Sequence, residues 1–151
     1  MDISFRKFNR NDKDIFYGMV KKFYAPPAVL HFPSDEVMLS AFDAAVDMPE
    51  YVRGYLMECD GKPAGYAMVS LKFETEVGGI AAWIEELFVE EEFRGCGIGS
   101  RFFEFLAEEF KGKIKRLRLE VGEENLDAIR LYKRLGFEFL DYRQMTIDKE
   151  F

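Results

Sequence analysis

At 151 residues the chain has length for one domain with a sizeable core and falls short of two ordinary ones, so a single domain over residues 1–151 is expected. With 28 acidic against 21 basic side chains the formal net charge is −7, which disfavours nucleic acid and anionic membrane as partners and favours cationic ones. Two cysteines far apart and one histidine exclude an ordinary zinc site, so no metal is expected.

No stretch reaches the roughly 18 apolar residues of a membrane span, and the N-terminus lacks the apolar core of a signal peptide, so a cytoplasmic location is expected. Ile3 and Phe5 alternate with polar neighbours as in an edge strand. Asn11 or Asp12 can cap a helix whose apolar face is Ile15, Phe16, Met19, Val20 and Phe23, ended by Pro26 and Pro27. Residues 24–33 form a loop rich in rings and proline, and Ser34 caps a second helix carrying Val37, Met38, Phe42 and Ala45.

From Tyr51 the period becomes strand-like. Residues 51–58 and 64–73 read as a hairpin about an Asp60-Gly61 turn, and a third strand covers 81–89 after a loose turn at 76–79. A helix over 101–111 buries Phe102, Phe103, Leu106 and Phe110 and stops at Gly112. A strand at 114–121 alternates through Leu117, Leu119 and Val121. Asn125 caps a helix with Ile129, Tyr132 and Leu135 available for burial, ended by Gly136. Final strands are expected at 137–142 and 144–147. The order βααβββαβαββ predicts an α/β mixed sheet with helices on its faces.

Between the third strand and its helix stands Arg94-Gly95-Cys96-Gly97-Ile98-Gly99-Ser100. A strand, glycine loop and helix start converge backbone N–H groups and a helix dipole on one point, a natural cradle for an anion such as pyrophosphate. A Walker-type loop would need lysine and then Ser or Thr after its last glycine, and here Gly99 is followed directly by Ser100. A dinucleotide fingerprint starting at Gly95 would need glycine at position 100. What remains is R-x-x-G-x-G, read as Arg94, Gly97 and Gly99, preceded by the acidic pair Glu85-Glu86.

This loop resembles the coenzyme A loop of the GNAT superfamily of acyl-CoA N-acyltransferases. Residues 125–137 look like the family's other signature, N-x-x-A-x-x-x-Y-x-x-x-G-F, with Asn125 and Tyr132 in its named places. The resemblance extends over nearly the whole chain and implies a mixed, mostly antiparallel central sheet flanked by helices on both faces. It further implies acetyl-CoA as co-substrate, held by Leu87, Phe88, Val89, Arg94, Gly95, Cys96, Gly97, Ile98, Gly99, Ser100, Asn125 and Tyr132. Asn125 would lie beside the pantetheine arm and Tyr132 would face the thioester sulfur. The acidic pair before L-F-V is similar to that of diamine N-acetyltransferases.

The chemistry gives these residues roles. An alkylammonium with a pKa near about 10.4 must lose a proton before it attacks a thioester. Glu85 and Glu86 are the bases best placed, because strand alternation points at least one toward the cleft, with Glu85 the stronger candidate and Glu86 its neighbour in amine binding. Tyr132 can protonate the departing thiolate, and backbone N–H groups around Phe88 and Val89 can bind the thioester oxygen. Ser100 reads as a phosphate contact and Cys96 as tolerated. His31 reads as a packing or surface residue, and the run Glu90-Glu91-Glu92 as a solvated face. The expected activity is N-acetylation of a small cationic primary amine by direct attack, the alternative being a non-catalytic acyl-CoA sensor. Either a monomer or a homodimer is compatible with the sequence.

Overall fold

A computed structural model describes residues 1–25 and 32–150. Two compact units divide the chain, Met1–Glu120 and Val121–Phe151.

The first unit is built on a five-stranded sheet in the order β1-β2-β3-β4-β5, formed by Ile3–Lys7, Val52–Cys59, Lys62–Glu74, Gly79–Val89 and Arg116–Leu119. The first four strands are antiparallel neighbours, and β5 lies parallel to β4. At the β2–β3 hairpin Asp60 and Gly61 adopt φ of 50° and 75°, the left-handed pair that a two-residue turn matching strand twist requires. Among the described residues four α-helices, α1 (Lys13–Phe23), α2 (Asp35–Asp47), α3 (Ile98–Glu109) and α4 (Leu126–Arg134), accompany the strands, the last of them in the second unit.

Helix starts follow their side chains. Asn9, rather than Asn11, opens the first helical segment: its side chain accepts from the Asn11 N–H at 2.9 Å, and Asp12 accepts from the Asn9 N–H at 2.8 Å. Asp12 also takes both guanidinium nitrogens of Arg6 at 2.8 and 2.9 Å, which ties β1 to the entry of α1. Ser34 caps α2 through the Val37 N–H at 3.3 Å, as the sequence predicts. The prolines at 26 and 27, and His31, lie outside the described residues.

The two sheet faces divide the aromatic core between them. Phe8, Phe16, Phe42, Leu56, Tyr66, Met68 and Phe88 form one buried cluster with α1 and α2. On the opposite face Phe5 and Tyr55 meet Phe102 and Phe105 of α3, with centroid separations of 5.4–5.9 Å. Leu56 and Tyr55 are consecutive, so strand alternation alone sends one to each layer.

A polar clamp fixes β3, β4 and β5 at the far end of the sheet. Glu74 accepts from Trp83 Nε1 at 3.0 Å, from Arg116 at 2.7 Å and from Arg118 at 3.2 Å. Burial pushes its carboxyl up, but these three donations outweigh it and hold it below its ordinary value.

In the second unit Asn125 caps α4 through the Ala128 N–H at 3.3 Å. The strands expected at 137–142 and 144–147 are not formed; residues 137–150 contain no strand. Alternation supplies strand-forming side chains, yet a strand also needs a paired neighbour and a covered face. Val121–Phe151 offers no strand for pairing among its described residues, and Phe139, Tyr142, Met145 and Ile147 remain exposed.

Candidate active site

The distinctive part of the sheet is the second half of β4. Its pairing with β3 runs in step up to Met68 opposite Glu86, then jumps to Val69 opposite Ile84, leaving Glu85 as the extra residue of a β-bulge. Pairing with β5 ends at Ile84 opposite Leu119. From Glu85 to Val89 the strand therefore has β3 on one side and no strand on the other among the described residues.

Alternation sets which main-chain groups face that open edge. The Glu90 N–H donates to the Ala64 carbonyl at 2.8 Å, toward β3, while the Val89 carbonyl accepts from Arg94 Nε at 2.9 Å, away from it. Counting back, Phe88 and Glu86 turn their N–H groups to β3, and Val89 and Leu87 turn theirs outward. Of the two residues around which the sequence suggests a thioester contact, Val89 is the one facing the edge.

The bulge also changes the direction of the acidic pair. Ser70 Oγ donates to Glu85 at 2.5 Å, and Tyr66 Oη donates to Glu86 at 2.7 Å. Ser70 and Tyr66 are four residues apart on an unbroken strand and so share a face; adjacent glutamates that simple alternation would separate lie on one side of the sheet. Their surroundings differ. Glu85 is exposed, whereas Glu86 is buried, its other oxygen accepting from Tyr24 Oη at 2.5 Å.

Burial pushes the Glu86 carboxyl above its ordinary value; the donations from Tyr24 and Tyr66 pull it down, and the charge of Glu85 adds to the rise. Both phenols are held well above their usual range, by burial first and by the carboxylate they serve. The two tyrosines are the residues around Glu86 that sequence reasoning covered least. Tyr24 stands out only as one ring of a loop, and Tyr66 as one aromatic of a strand; the signal for Tyr66 is a hairpin register that the bulge conceals, and Tyr24 is placed by the end of α1.

Beyond Val89 a short 3-10 turn, Glu91–Phe93, leads into the glycine loop. Glu90 is no solvated member of its acidic run, since both its oxygens take Lys22 Nζ at 2.8 Å and tie the end of β4 to α1. Arg94 bonds back to Val89 and lies over the Phe88 ring, with 5.9 Å from guanidinium carbon to centroid. Gly97 occupies the N-cap of α3 with φ 81°, a conformation that disfavours any side chain, and a Cβ there would point into open space. The first intrahelical bond is Arg101 N–H to the Gly97 carbonyl at 3.1 Å, so the N–H groups of Ile98, Gly99 and Ser100 have no partner within the helix.

The other helices carry acids in their first turns, Asp14, Asp35 with Glu36, and Asp127; α3 carries none and no side-chain cap. A helix start left bare in this way suits a bound anion. Its residues therefore fit a pyrophosphate. Gly95 and Gly97 are exposed, and Cys96 is half-buried, its thiol directed at the Arg94 carbonyl. In the second unit Asn125 is engaged as the α4 cap, and burial raises the Tyr132 phenol, keeping it protonated at neutral pH.

Known proteins resemble this chain in sequence and in fold. A Bacillus subtilis protein named spermine/spermidine N(1)-acetyltransferase is 32% identical over 84 residues, which make up 53% of this chain and 55% of that protein. The chain thus spans about half the length of the curated relatives it matches. The crystal structure of a possible acetyltransferase from Clostridium difficile 630 superposes with a TM-score of 0.83 at 18% identity, covering 99% of both chains. A predicted acetyltransferase from Clostridium acetobutylicum, solved with acetyl-CoA, gives 0.78 at 17% identity over 96% of each. The fold is that of these acetyltransferases, and the Acetyltransferase (GNAT) family model matches residues 18–137, so the chain belongs to the GNAT acetyltransferase family.

Proposed function

We propose that the protein transfers an acetyl group from acetyl-CoA to a small cationic primary amine by direct attack in a ternary complex. One observation carries the reading: strand β4 bears a buried carboxylate and then an open main-chain edge, and the loop after it leads to an uncapped helix start. That order gives, along one line, a place for a base, for a thioester and its pantetheine arm, and for a pyrophosphate.

Glu86 serves as the base. A carboxylate of ordinary pKa, about 4.3, is a weak acceptor for an ammonium proton, and burial narrows the gap. Glu85, exposed and held by Ser70, attracts the cationic acceptor; on this reading the two carboxylates take the opposite roles to those expected from the sequence. The freed amine attacks the thioester carbon, the outward N–H of Val89 stabilises the oxyanion, and the C–S bond breaks as the intermediate collapses. The signature containing Tyr132 assigns that residue the proton for the leaving thiolate, and burial keeps its phenol in the proton-bearing form. Polyamines rank first among acceptors, in keeping with the name of the Bacillus subtilis relative.

The alternative is an acyl-CoA sensor, which has the same need of the α3 cradle but none of a buried Glu86. The test is thiol release from acetyl-CoA across a panel of polyamines, amino acids and aminoglycosides. Turnover with a cationic amine supports the enzyme. Coenzyme A binding without turnover on any acceptor supports the sensor.

A further inference from the structure

Glu86 is sealed on both oxygens. Tyr66, fully buried, closes Oε2, and Tyr24 closes Oε1 at 2.5 Å, a separation typical of a phenol donating to a carboxylate. Tyr24 itself is only half-buried, at the C-cap of α1. Of the two phenols that touch the carboxylate, only Tyr24 has a surface side.

From this geometry we propose that Tyr24 is a proton relay, carrying the acceptor's proton to Glu86. The acceptor ammonium gives a proton to Tyr24 Oη while the proton already on that oxygen passes to Glu86 Oε1. One N–H bond breaks, two O–H bonds form and one O–H bond breaks. The phenol ends unchanged, the amine is neutral and Glu86 is protonated. A phenolate never accumulates, which agrees with a phenol whose ionisation burial opposes. Tyr66 holds the second oxygen and fixes the carboxylate's orientation. Among the described residues, the charged and titratable groups facing Glu86 are Tyr66 from β3, Tyr24 from the end of α1 and Glu85 from β4.

The proposal rests on the amine-acetyltransferase reading. It is tested by single-turnover acetyl transfer, with wild type and Tyr24→Phe compared in mixtures of light and heavy water. The wild-type rate is expected to fall along a bowl-shaped curve with deuterium content, as two protons move together. Tyr24→Phe is expected to lose about 10- to 100-fold in rate, the lower part of the range for a positioned proton-transfer group, and to give a straight line. The acid limb of its pH profile should move upward, because a donation that lowers the Glu86 pKa is gone. Acetyl-CoA affinity should hold.

Wild-type rate and curvature in Tyr24→Phe would overturn the relay, and so would a reduced rate with curvature intact, the mark of a merely structural contact. If Tyr24→Phe does not fold, 3-fluorotyrosine at position 24 keeps the ring and the bond while making the phenol more acidic. A changed solvent isotope effect then supports the relay, and an unchanged one overturns it. A wild type inactive on every amine would instead sink the acetyltransferase reading, and the relay with it.

Discussion

Glu86 is a side chain whose chemistry and stability pull in opposite directions. A carboxyl with a folded-state pKa above its unfolded value binds its proton more readily when folded. The stability it contributes is full below the ordinary value of about 4.3 and is lost as pH rises through the raised one. Glu86→Gln carries no such charge. Its melting temperature relative to wild type should therefore climb as pH goes from about 4 to about 8 while activity is lost; parallel melting curves across that range would refute the buried-charge account.

Gly97 is the complementary case, a position defined by what it lacks. Its φ of 81° strains any other residue, and a Cβ would enter the open space before the α3 N–H groups. Gly97→Val should weaken coenzyme A binding by about 10-fold or more, since losing even one charge-assisted bond costs roughly 1.5–3 kcal/mol. Calorimetric titration of the folded variant checks this, and wild-type affinity would remove the loop from the binding site.

Among the elements, α1 depends on a small polar knot at its start. Asp12 satisfies the Asn9 N–H and both guanidinium nitrogens of Arg6, so Asp12→Ala removes one half of a capping box and the nearest partner of a cation together. Loss of a cap costs about 0.5–2 kcal/mol, and here the upper half is expected, because among the described residues Arg6 keeps only longer contacts, to the Lys7 carbonyl at 3.3 Å and to Glu58 at 3.4 Å. Urea unfolding should show a lower midpoint at unchanged slope. The Arg6 guanidinium holds the Asp12 carboxyl below its ordinary value, so its stabilisation is present at neutral pH and is lost as pH falls through that lowered value. The gap between wild type and variant should close in acid. The same element carries Tyr24 at its other end, so the order of α1 bears on both the fold and the site.

At the scale of the whole molecule, the net charge bears on the proposed acceptor. A formal net charge of −7, with Glu85 exposed beside the bulge, should favour a polycation over a monoamine. Screening shortens from about 14 Å at about 0.05 M salt to roughly 4 Å near 0.5 M, so KM for a triamine should rise several-fold over that range while kcat stays nearly constant. A KM indifferent to salt, or equal use of anionic amines, would count against a cationic acceptor. The sequence by itself determined the helix starts at Ser34 and Asn125, the Asp60-Gly61 hairpin and the glycine loop, because each rests on the local chemistry of a few neighbouring residues. Only the tertiary structure decided that Glu85 and Glu86 share a face, that Glu86 alone is buried between two phenols, and that residues 137–147 do not form strands. Bulges, burial and strand partners are set by residues distant along the chain, where the period of a single segment carries no information about its neighbour.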